Sequence, residues 1–222
     1  MTPDYTTLVQ ALLPETLLVV GALLVLGLDL TVFRRRPAGY RLHAAAAIGA
    51  LALTAALLLG CSTETVGPVF GGVLNFDVLA VVTRAGVLGL TLLTLGIATG
   101  APVPRHPAEY VAVILFAATG FLLMAAAQQL LLVFLALELA SLSLYVLAGF
   151  DKTRPESAEA ALKYFLFGGM AAAFLLFGFS LLYGLTGTLD LTRIANVLAA
   201  REMNPLLVIA LVMGFVFLQR VF

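Results

Sequence analysis

The sequence predicts an all-α fold, a polytopic transmembrane bundle of about seven helices, on three observations. Of the 222 residues, 62% are hydrophobic and only 11% charged, with a mean hydropathy of +1.11. Soluble domains carry about a quarter charged residues to wet their surface. The apolar residues also cluster into stretches close to the roughly 20 that cross about 30 Å of hydrocarbon as a helix. Finally, the alternation expected of a barrel strand is absent, and open strands would leave backbone groups unpaired in lipid. The chain reads as a single transmembrane domain, 1–222.

In chain order the stretches run at about 12–33, 42–59, 76–99, 110–127, 130–150, 158–185 and 205–222. The fourth and fifth are divided only by Gln128 and Gln129. A tight hairpin is expected there, because an unbroken helix through both would be far too long to span once. The loop after the sixth carries Leu189, Leu191, Ile194, Val197 and Leu198 near helical spacing, with Asp190, Arg193 and Arg201 between them. That pattern fits a short interfacial helix or a polar connector. Gly96 and Gly100 form a GxxxG pair, and Gly168, Gly169, Gly178 and Gly184 punctuate the sixth stretch, which suggests close helix packing.

Loop charge sets the expected orientation. Arg34, Arg35, Arg36 and Arg41 lie between the first two spans, Arg105 between the third and fourth, and Lys152 and Arg154 between the fifth and sixth. The opposite side offers only Arg193 and Arg201. By the positive-inside rule the Arg-rich side is cytoplasmic and the N-terminus faces outward. No basic segment precedes the first apolar run, so a cleavable signal peptide is not expected.

Several classes of chemistry are excluded. Twelve Lys and Arg balance twelve Asp and Glu, leaving no net field for nucleic acid. A single cysteine, Cys61, rules out an internal disulfide or a cysteine-held cluster, and only His43 and His106 remain as imidazoles. No phosphate loop, HExxH or nucleophile elbow is present, so no residue is a candidate for covalent catalysis.

Ionisable groups inside a span cost several kcal/mol unless paired or hydrated, which makes each a functional candidate. Glu138 sits near the middle of the fifth span, with Ser141 and Tyr145 at i+3 and i+7 on the same helical face. A buried carboxyl of this kind suits proton handling; the alternative is an inter-helix hydrogen bond. Lys163 lies one or two turns inside the sixth span, at a depth within about 7 Å of Glu138 on a rise of 1.5 Å per residue. It can pair with Glu138, pair with Glu159 at i−4, or snorkel to the surface. Arg84 shares a face with Asp77 at i−7 and reads as a buried structural partner or a snorkelling side chain. Asp29, beside Arg34–Arg36, reads as half of an interfacial ion pair.

Three segments carry a resemblance: Leu-Glu-Leu-Ala-Ser-Leu-Ser-Leu-Tyr at 137–145, Glu-Ala-Ala-Leu-Lys-Tyr-Phe at 159–165, and Leu-Tyr-Gly-Leu-Thr-Gly-Thr at 182–188. Together they resemble the antiporter-like membrane subunits of respiratory complex I, the NADH-quinone oxidoreductases. Leu13-Pro14-Glu15 favours the subunit N family over the related M and L subunits. The resemblance runs to about Phe217. It implies a proton-translocating subunit of a bacterial cytoplasmic membrane, working with the other membrane subunits. NADH, FMN, iron–sulfur clusters and quinone would be bound by other subunits, with no cofactor in this chain. It further implies that Glu138 pairs with lysine, matched by Lys163, and that the pair's charge state couples quinone chemistry to proton movement.

The sequence also departs from that family. Members are about twice as long, with some fourteen helices in two inverted halves. Gly214-Phe-Val-Phe217 matches the start of their seventh-helix motif, but Leu218 stands where the motif has lysine. The expectation is therefore a chain truncated to the N-terminal half. The Glu and Lys pattern is shared with multi-subunit cation/proton antiporters and membrane hydrogenases, and a non-pumping structural fragment is a further alternative.

Overall fold

A computed structural model of the chain describes residues 5–62, 67–102, 104–200, 205 and 209. Eight α-helices are described: α1 (Tyr5–Ala11), α2 (Leu13–Leu28), α3 (Ala38–Ser62), α4 (Val78–Gly100), α5 (Pro107–Ala126), α6 (Leu130–Ala148), α7 (Pro155–Thr186) and α8 (Leu191–Ala200). A short antiparallel hairpin, β1 (Gly67–Val69) and β2 (Leu74–Phe76), joins α3 to α4. Among the described residues six helices are long and apolar enough to cross a membrane, with α2 continuing through a π turn to Phe33. They correspond to the first six expected spans. The seventh, 205–222, lies outside the described residues apart from 205 and 209.

The helix starts follow local chemistry. Proline occupies the first turn of α2, α5 and α7, where its missing N–H costs nothing. Asp77 caps α4, its carboxylate accepting from the Ala80 N–H at 2.7 Å. Gly187, at φ +70°, ends α7 in the left-handed conformation that glycine adopts most readily. Two elements escaped sequence reasoning. Tyr5–Ala11 is too short to show a period, and the hairpin depends on positive φ at Gly67, Gly71 and Gly72, a turn signal hidden between apolar runs.

At the centre stands α5. Of its 18-residue span window 56% is buried, against 22–33% for the other five, so the bundle is built around it. Leu18, Leu42, Leu53, Leu88, Leu95, Val111 and Leu115 form the main core between α2, α3, α4 and α5. A second cluster joins α6, α7 and α8 through Leu137, Leu175, Phe179, Leu182 and Ile194. Residues 191–200 therefore form a helix, and it packs on protein through Ile194.

Close helix approach occurs at one of the expected glycines, Gly168, and otherwise at glycines outside the expected set. A Cβ on Gly96, Gly100, Gly169 or Gly184 would meet nothing within 4 Å, so the GxxxG pair makes no helix contact among the described residues. Spacing alone does not reveal which face of a helix is covered. The tight contact is at Gly120 of α5, where a Cβ would lie 2.7 Å from Ala140 N and 2.8 Å from Ala136 O of α6. Lipid tails are as apolar as leucine, so association rests on such contacts.

The α5–α6 hairpin turns at 127–129 as expected, and its backbone groups are paired from both sides. Gln128 N–H donates to Val73 O at 2.9 Å and Leu74 bridges Ala127; Leu130 N–H donates to Leu189 O at 2.9 Å and Leu191 N–H to Gln128 O at 3.0 Å. The turn is thus wedged between the β hairpin and the segment leading into α8. Because the obstacle at Gly120 is backbone, Gly120→Ala is expected to cost about 1–3 kcal/mol. The measurement is the thermal unfolding midpoint of the detergent-extracted chain. An unchanged midpoint would show that α5 and α6 are not held at this distance.

Candidate functional site

Glu138 lies midway along α6 and is half-buried. Its Oε1 is enclosed, and among the described residues it has no hydrogen-bond partner. Ser141 and Tyr145 share its face, as the spacing predicts, with Glu138 within electrostatic reach of Tyr145. A carboxylate with an unfilled acceptor, beside two hydroxyls in an apolar helix, is equipped to take and release a proton.

Tyr145 also fixes how α6 meets α7. Its ring packs edge-on against Tyr164 at 4.7 Å and Phe165 at 5.9 Å between centroids. Its hydroxyl sits so close to Gly168 that a Cβ there would fall 1.9 Å from it. Gly168 is thus a slot for a phenol, a role that sequence spacing could not distinguish from general helix packing.

Lys163 is not brought to Glu138. Its Nζ donates to Glu159 Oε1 at 2.5 Å, one turn back on α7, and both side chains are roughly two-thirds exposed. Of the three readings open from sequence, the i,i+4 pair is the one formed.

Arg84 is buried, but its partner is not Asp77, which is occupied capping α4. Arg84 Nη2 donates to Glu15 Oε1 at 2.6 Å, to Oε2 at 2.7 Å and to Ala11 O at 3.3 Å. The guanidinium stacks over Phe76, 4.7 Å from the ring centroid, and Nε has no partner among the described residues. Glu15, only 4% exposed, was missed as a site residue because it opens a helix, where an acid is ordinarily explained by the macrodipole. The signal that could have found it is a second buried charge, on α4, lacking a partner of its own. Asp29 does form an ion pair, with Arg41. Arg41 stands at the start of α3, and Asp29 opens the π turn that closes α2.

Six apolar helices among the described residues, with a carboxylate in the fifth, make this a multi-pass membrane protein. Residues 127–220, which include Glu138 and Lys163, match the family model described as NADH:quinone oxidoreductase/Mrp antiporter, transmembrane. The chain is 42% identical over 219 residues to NADH-quinone oxidoreductase subunit N 2 of Acidobacterium capsulatum, covering 95% of this chain and 44% of that one. It is 37% identical over 204 residues to subunit N of Sphingopyxis alaskensis, covering 92% and 41%. In three dimensions it is similar to a chain of respiratory complex I from Thermus thermophilus, with TM-score 0.72, 32% identity and coverage of 93% and 43%. A chain of the archaeal membrane-bound sulfane sulfur reductase gives TM-score 0.70, 26% identity and coverage of 95% and 44%. The chain belongs to the NADH-quinone oxidoreductase subunit N family. It spans less than half the length of these relatives.

Removing either half of the Glu15–Arg84 pair strands a buried charge, at a cost of about 3–5 kcal/mol. The two losses should differ. A stranded carboxyl can take up a proton, whereas a stranded guanidinium cannot lose one. Glu15→Gln is therefore expected to lower the unfolding midpoint more than Arg84→Gln, with the double variant above Glu15→Gln. Equal midpoints for all three would mean the pair is not buried.

Proposed function

We propose that this chain is a proton-translocating membrane subunit of an NADH-quinone oxidoreductase, with Glu138 as its proton-carrying group. The observation that carries the reading is the Glu138 carboxylate, enclosed within a span, unpartnered at Oε1 and placed beside Ser141 and Tyr145 in the segment the family model covers. Intramembrane acids in such positions mark ion and proton pathways. Electron transfer from NADH through flavin and iron–sulfur clusters to quinone takes place in partner subunits, which this chain joins through the bilayer.

Lys163 enters as a switchable countercharge. In its resting arrangement it is held by Glu159; the coupled step moves its ammonium toward Glu138, favouring the ionised carboxylate and so releasing a proton. The return to Glu159 lets Glu138 take up the next one. The Arg-rich end faces the cytoplasm and the N-terminus faces outward, in accord with the clustering of Arg34–Arg36, Arg105, Lys152 and Arg154 in loops at one end.

A second reading, a subunit of a multi-subunit cation/proton antiporter or a related hydrogenase-like complex, is favoured by the antiporter in the family description and by the likeness to the sulfane sulfur reductase chain. Purification of the tagged chain from its own membranes separates the two. An NADH-oxidising flavin subunit is expected with the first and not with the second.

Glu138→Gln keeps the shape and removes the titration. In the assembled complex it is expected to slow NADH-driven proton uptake by about 10²-fold or more, the lower range for losing a proton-transfer group. Lys163→Gln should slow it less, because the lysine only biases the carboxyl. Unchanged pumping by Glu138→Gln with the complex intact would leave this chain a structural role alone.

A further inference from the structure

At the Arg-rich end of the bundle lies a cavity of about 510 Å³, bounded by the end of α4, the start of α5, the end of α6 and the loop into α7. Its walls are of two kinds. Ala98, Leu147, Tyr110 and Phe150 form an apolar floor, held by an edge-to-face contact between the two rings at 5.1 Å. Arg105 and Lys152 stand at the rim, both exposed, and among the described residues neither makes an ion pair. His106 also lines the rim, beside Glu109 at 3.6 Å.

Among the described residues Asp151 is the one carboxylate lining the cavity, and it is engaged locally. Its Oδ1 accepts from the Thr153 hydroxyl at 2.6 Å and the Thr153 N–H at 3.1 Å. Two cations thus face one carboxylate that is already bonded. The N-termini of α5 and α7, each opened by proline, end at the same place and add their positive dipole ends. Ser157, whose hydroxyl donates to Ala148 O at 2.7 Å, ties the loop down and keeps the rim in place.

We propose that this cavity is a binding site for one anionic phospholipid, its phosphodiester held between Arg105 and Lys152 and an acyl chain laid over Leu147 and Phe150. The position is what selects a lipid over a soluble anion. The cavity opens where four span ends meet the interface, and its floor is apolar, which gives a free phosphate nothing to bind. Basic pockets between helix ends take acidic head groups for this reason. The inference is independent of which complex the chain joins.

The test uses the full chain in nanodiscs of phosphatidylcholine containing a minor fraction of phosphatidylglycerol, read by native mass spectrometry. One retained phosphatidylglycerol is expected. Arg105→Gln/Lys152→Gln should reduce retention about thirtyfold, on the scale of the contribution of two surface cations. Arg34→Gln/Arg35→Gln/Arg36→Gln, which removes more charge at the same end, should leave it within about twofold. A phosphatidylglycerol with a photoactivatable acyl chain should label the peptide containing Leu147 and Phe150. Equal retention in the double variant, equal retention of phosphatidylcholine, or labelling elsewhere would overturn the assignment. Displacement by millimolar inorganic phosphate would also overturn it, by identifying a free-anion site.

Discussion

Everything in this fold depends on the contact between α5 and α6 at Gly120, where two helix backbones meet with no side chain between them. That approach is what makes the turn at 127–129 possible, since only closely packed antiparallel helices join through so few residues. The turn in turn creates a demand of its own. Its backbone N–H and C=O groups lie at the end of two apolar helices, where an unpaired group is costly. The β hairpin meets the demand on one side and the 189–191 segment on the other. Two pieces of irregular chain far apart in sequence are thus fixed by the needs of a turn belonging to neither.

Much of the fold was legible because a bilayer simplifies the grammar of a sequence. Six spans and the Gln128–Gln129 turn follow from hydropathy and length alone, and of the two readings the period left open over 191–200 the helix is the one formed. Hydropathy does not state which way a helix is turned, and the misread helix contacts trace to that. Gly96 and Gly100 have the spacing of a packing motif but an uncovered face, whereas Gly120 has no motif around it and carries the contact. Arg84 was visible as a misplaced charge, but its partner lies 69 residues away on another helix, a pairing that no local window contains.

The site was half legible for a related reason. Glu138, Ser141 and Tyr145 lie on one helix, and helical geometry is enough to place them together. Whether Lys163 reaches across from α7 depends on the rotation of a second helix, and there the nearer carboxylate of Glu159 prevails. Tyr145 joins the two parts of the site. Its hydroxyl rests on Gly168 and its ring packs on Tyr164 and Phe165, so the helix that carries Glu138 is fitted directly against the helix that carries Lys163.

Two of the cation–carboxylate pairs, one exposed and one buried, differ in a way that bears on how the chain is made. Lys163 and Glu159 neutralise each other within α7, so that helix can enter the bilayer as a self-contained unit. Glu15 and Arg84 belong to different helices, and each is an uncompensated charge until the other arrives. Between them the ribosome must deliver all of α3 and the β hairpin. The first span therefore gains its countercharge only once the third has joined it. Burying this pair consequently takes three spans together, the two that carry the charges and the one between them.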